Sequence, residues 1–130
     1  MRMAEIEVQE NMRNWLKHWV GRLDIGFTGL KLWLKKGYPF VLLPAIMLLT
    51  GWLAGARWNL LAPIALLGTI LVAAEIFNTA IEKLCDLVDV EQNGKIGDIK
   101  DISASAILVF GIALGITWLW VMIDSLMRYS

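Results

Sequence analysis

The residues best suited to chemistry lie in one short run, "AAEIFNTAIEKLCDLV", residues 73–88, at the end of a long apolar stretch. Glu75, Asn78, Glu82 and Asp86 recur there at spacings of three or four. On a helix at ~100° per residue they form one polar stripe, with Thr79, ~100° wide and ~16 Å long. The opposite face, Ile76, Phe77, Ala80, Ile81 and Leu84, suits lipid or other helices. A charge placed in a bilayer costs ~2.5–3.5 kcal/mol even on the mildest scale, so intramembrane carboxylates face a protein interior or a wet cavity. Asp86, near the end of the run, is close enough to the edge to reach water. Glu75 and Glu82 lie deeper and have short side chains that snorkel poorly.

Oxygen-only ligands suit a hard cation such as Mg²⁺, which is commonly held by one or two carboxylates and completed by substrate phosphates. Lys100 could neutralise phosphate charge, and a remaining carboxylate could take a proton from a hydroxyl. Together these parts outline phosphoryl transfer. A second chemistry uses the same carboxylates as a proton or cation relay. It accounts for the buried acids and leaves the acidic segment with Lys100 unexplained. Two motifs are excluded. "GKIGD" lacks the spacing of a Walker A loop. "DVEQNGKIGDIK" starts like a calcium loop, with Asp89, Glu91, Asn93 and Gly94, but its twelfth position is Lys100 where a bidentate Glu is required.

The elements that must carry these residues follow from composition. The chain of 130 residues is 58% hydrophobic, with seven Trp and 18% charged residues. A soluble domain of this size buries too little surface to hide so much apolar area, so an all-α integral membrane protein is expected. Residues 5–35 read as an interfacial helix, in one or two pieces. Trp15, Trp19, Leu23, Phe27, Leu30 and Leu34 form an apolar stripe, with Arg13, Lys17, His18, Arg22, Lys31 and Lys35 between them. Three transmembrane helices are expected to follow, over about 38–56, 60–87 and 102–127, each meeting the ~20 residues needed to span the hydrocarbon core. "RWN" joins the first two, and residues 88–101 read as a polar loop. The whole chain, 1–130, reads as a single membrane domain.

Charge sets the expected orientation. Residues 1–36 hold seven of the twelve Lys/Arg, and residues 75–101 hold three. The positive-inside rule puts the N-terminus and residues 88–101 in the cytoplasm and the C-terminus outside. The zero net charge gives no footprint for nucleic acid. Cys85 is the one cysteine and reads as a small packed residue. The N-terminal stretch is charged and lacks an early apolar core, so insertion is expected to rely on the spans.

"EIFNTAIEKLCD" followed by "IKDISASA" resembles the prokaryotic diacylglycerol kinase family, which includes undecaprenol kinases. The signature there is Glu-x-x-Asn-[Thr/Ser]-Ala-Ile-Glu-x-x-x-Asp, then a Lys-Asp pair opening the last span. The resemblance runs from about Gly29 to the end of the third span. It implies a homotrimer in the bacterial plasma (inner) membrane, with active sites built between neighbouring subunits. It implies transfer of the γ-phosphate of ATP to a lipid hydroxyl, with Mg²⁺. By matching position, Glu75 is then the catalytic base and Glu82 a Mg²⁺ ligand. Asn78 and Asp86 line the site, and Lys100 and Asp101 contact nucleotide. Glu91, Gln92 and Asn93 fall where the family's loop approaches the nucleotide, and Gly97 matches a loop glycine. The family usually has a second metal-binding Glu just before the first span. Gly37 occupies that position here, and no acid occurs from Leu30 to Ala74; Asp24 is the nearest. Ala104 stands where some members have Ser. These departures motivate an alternative, a degenerate member that binds nucleotide or lipid without turnover.

Overall fold

The computed structural model describes residues 2–35, 41–88 and 94–128. It is all-α, with helices α1 (Arg2–Leu34), α2 (Leu42–Leu53), α3 (Trp58–Val88) and α4 (Gly94–Met127). The chain divides into two compact units, Met1–Tyr38 and Pro39–Ser130.

The first unit is one continuous helix rather than two. Its 33 residues make it ~50 Å long at 1.5 Å per residue. Trp15, Trp19, Leu23 and Phe27 are all exposed. The Trp15 and Trp19 rings stand 5.8 Å apart, and the Arg22 guanidinium lies 5.5 Å from the Trp19 ring centre.

The second unit packs α2, α3 and α4, with α3 against α4 as its most extensive interface. Leu61, Ile64, Leu71, Leu114 and Val121 form its buried core. Small residues let the backbones approach. A Cβ on Gly68 would lie 2.5 Å from Pro44 Cβ, so only glycine admits the proline ring of α2. Pro44 sits in the first turn of α2, where a missing N–H costs no helical hydrogen bond. Trp118 Nε1 donates to Thr50 Oγ1 at 3.0 Å and ties α4 to α2.

The α2–α3 connection is set by its caps. Gly55 adopts φ 72°. Its N–H donates to Trp52 O, and the Ala56 N–H donates to Gly51 O. This pair of bonds is a Schellman cap, which needs a left-handed residue at the position Gly55 holds. The turn is therefore residues 54–57, and Trp58 and Asn59 of the expected "RWN" turn already belong to α3.

Two helices, α3 and α4, are long and apolar enough to cross a membrane. The first expected span, 38–56, is represented among the described residues by the 12-residue α2. The polar loop expected over 88–101 is corrected in part. Helix α4 starts at Gly94, so Lys100 and Asp101 are helical and Gly97 is an exposed position within the helix. Polarity alone suggested a loop. The half-buried Ile96, Lys100, Ser103 and Ile107 recur every three or four residues, which is a helical face turned toward a neighbour. Gly37, Glu91, Gln92 and Asn93 lie outside the described residues.

Candidate active site

The deep part of the polar stripe of α3 is buried. Glu75, Asn78 and Thr79 are each 5% exposed. Glu82 is half-buried and Asp86 is exposed, so the stripe runs from the protein interior to its surface. The other face of the helix is open, with Phe77 70% and Leu84 62% exposed. Helical spacing sorts the two faces, and packing of α3 on α4 buries the polar one.

Hydrogen bonds connect the stripe to α4. Asn78 Nδ2 donates to Glu82 Oε1 at 2.9 Å, one helical turn along. Ser103 Oγ lies 2.5 Å from Asn78 Oδ1 and 2.8 Å from Lys100 O, both acceptors for its hydroxyl. The amide of Asn78 is thereby oriented: its oxygen faces α4 and its N–H₂ faces the carboxylate. One oxygen of Glu82 is held by this amide. At the surface end, Lys100 Nζ donates to Asp86 Oδ1 at 2.6 Å. Both partners are substantially exposed, at 39% and 66% of their side chains. An exposed pair of this kind is screened by water and contributes little, so an incoming phosphate could displace Asp86 from Lys100.

The structure thus brings Glu75, Asn78, Glu82, Asp86 and Lys100 together along one α3–α4 seam. Asp101 is exposed on α4. Ser103 is the participant that residue spacing did not single out. Its only sequence signal is its place three residues, one helical turn, after Lys100, and that matters only once α3 and α4 are known to pair.

Among the described residues no three His, Cys, Asp or Glu side chains converge as a metal cage. Mg²⁺ keeps water and phosphate oxygens and takes only one or two carboxylates from protein. Glu82, with one oxygen oriented by Asn78, fits that partial role.

The model of the family described as prokaryotic diacylglycerol kinase matches residues 27–122. The match covers α2, α3, most of α4 and the end of α1. No curated protein and no solved structure matches the chain.

Proposed function

The chain belongs to the prokaryotic diacylglycerol kinase family, a family of integral membrane lipid kinases, and we propose that it phosphorylates a membrane lipid hydroxyl with ATP and Mg²⁺ at the cytoplasmic face. The acceptor is diacylglycerol or undecaprenol. The observation that carries this reading is the seam itself: a buried Glu75 lies on the same helix face as an Asn78-oriented Glu82, and a displaceable Lys100 sits at the exposed end. A lipid hydroxyl arrives from the bilayer and a nucleotide from water, so a seam running from interior to surface suits both.

In this reading the acceptor oxygen forms a bond to the γ-phosphorus as the bond between that phosphorus and the β,γ-bridging oxygen breaks. ADP leaves with the electron pair, and the hydroxyl proton passes to the Glu75 carboxylate. Lys100 exchanges Asp86 for a phosphate oxygen. Asn78 holds Glu82, whose second oxygen would bind the cation. Mg²⁺, when bound with ATP, supplies the positive charge that offsets the phosphate oxygens. Asp101 and the segment Glu91, Gln92 and Asn93 complete the nucleotide side.

We further infer three spans, with the N-terminus in the cytoplasm, and a homotrimer that shares its sites. The exposed apolar surface of α4 supports a lipid or subunit contact. Leu108, Val109, Ile112 and Ile116 along α4 are each more than half exposed in the single chain and suit lipid or a neighbouring copy. Gly37 favours a second reading, binding without turnover, because it stands at the position of a usual metal-binding Glu. The two readings separate in one assay. Purified protein in lipid, given labelled ATP and Mg²⁺, transfers the γ-phosphate to diacylglycerol or undecaprenol if it is a kinase. Nucleotide binding with no transfer to either lipid selects the second reading.

A further inference from the structure

Two buried oxygens of the seam, Glu75 Oε2 and Thr79 Oγ1, have no hydrogen-bond partner among the described residues. They lie four residues apart on α3, a spacing that puts side chains on one face with Cβ atoms about 5–6 Å apart. Both residues are more than nine-tenths buried. A buried polar oxygen without a partner loses its bonds to water and regains none, which makes two on adjacent turns a departure from ordinary packing.

Thr79 departs in a second way. A threonine inside a helix has an easy partner, the carbonyl four residues back. The other three threonines of Pro39–Ser130 all use it: Thr50 bonds Ile46 O, Thr69 bonds Ala65 O and Thr117 bonds Ala113 O. Thr79 alone leaves its local carbonyl, Glu75 O, unused and keeps its hydroxyl free. Helix α4 does not supply the missing partners. In the antiparallel register set by Asn78 and Ser103, equal rise brings Ile102 to the level of Thr79 and Ala106 to the level of Glu75, and neither side chain has a polar atom.

We propose that Thr79 is an acceptor-specificity residue whose hydroxyl binds an oxygen adjacent to the one that Glu75 addresses. This rests on the kinase reading only in taking Glu75 as the place where the acceptor hydroxyl docks. The two orphan groups are chemically different, a carboxylate that accepts and a hydroxyl that can donate. A ligand that satisfies both carries a hydroxyl and, on the neighbouring carbon, an ester or ether oxygen. An alcohol with one oxygen at the end of a hydrocarbon chain satisfies Glu75 and leaves Thr79 orphaned.

The test compares the unmodified protein with Thr79→Val, which keeps the shape and removes the hydroxyl, and with Thr79→Ser, which restores it. Binding of a short-chain diacylglycerol and of a short polyprenol is measured in detergent without ATP, alongside the thermal unfolding midpoint. The expected result is about tenfold weaker diacylglycerol binding in the Val variant, the worth of about one hydrogen bond. Polyprenol binding stays within about twofold, the midpoint holds or rises, and Ser recovers the loss. The midpoint separates this from a packing role, because deleting an unpaired buried hydroxyl does not destabilise the free protein. Equal effects on both lipids, no effect on diacylglycerol, no binding of it by the unmodified protein, or a fallen midpoint would each overturn the assignment. Because binding is read without ATP, it can succeed where phosphate transfer fails, and fail where transfer succeeds.

Discussion

Asn78 is the residue on which the site turns. Among the described residues its amide is the only group that bonds both an α3 carboxylate and an α4 hydroxyl. Asn78→Asp keeps the shape but sets two carboxylate oxygens about as far apart as Asn78 Nδ2 and Glu82 Oε1 are now, 2.9 Å. Like charges that close are strongly unfavourable. The expected outcome is a loss of phosphate transfer by about a hundredfold or more and a lower unfolding midpoint, since removing a partner in a buried network costs about 1–3 kcal/mol. Ser103→Ala removes a hydroxyl and no charge, so its expected loss of transfer is about three- to tenfold. Steady-state rates and thermal melts of both variants check the ordering; equal effects would show that orientation of the amide is not what matters. At this scale the α3 stripe was legible from spacing alone, because Glu75, Asn78, Glu82 and Asp86 share one helical face. Ser103 and the free hydroxyl of Thr79 were not. Each depends on which residues α4 sets opposite α3, and no local pattern encodes that pairing.

The elements that hold the site in place pack through glycine. At Gly68 an added Cβ would meet Pro44 Cβ at 2.5 Å, a contact with a rigid ring. At Gly51 it would meet Leu61 Cδ2 at 2.9 Å, the far end of a flexible side chain. Gly68→Ala is therefore expected to destabilise by about 1–3 kcal/mol, the usual cost of overpacking, and Gly51→Ala by less. Unfolding in mild detergent measures the difference, and the reverse order would contradict the α2–α3 packing. The four helices were largely legible in the sequence, with boundaries set by caps that polarity does not reveal. Gly55 ended α2 through its left-handed backbone, which left Trp58 and Asn59 to α3. The segment from Gly94 looked like a loop because six of its first eight residues are glycine or charged, yet its half-buried positions keep helical period.

At the scale of the whole molecule, apolar surface and charge work together. Helices α3 and α4 are long enough to cross a bilayer and leave about half of their apolar side chains exposed in the single chain, which matches a chain whose solvent is lipid. Membership of a membrane kinase family was legible because the Glu-Asn-Glu-Asp stripe and the Lys-Asp pair are both specific. The acceptor was not legible, since it depends on which buried oxygens stay unpaired. The most direct test of the central claim is γ-phosphate transfer from labelled ATP, in lipid with Mg²⁺, by the unmodified chain and by Glu75→Gln. The account predicts transfer to a lipid hydroxyl by the unmodified chain and a loss of about a hundredfold or more in the variant, which keeps the shape and cannot take the proton. Undiminished transfer by Glu75→Gln would contradict it.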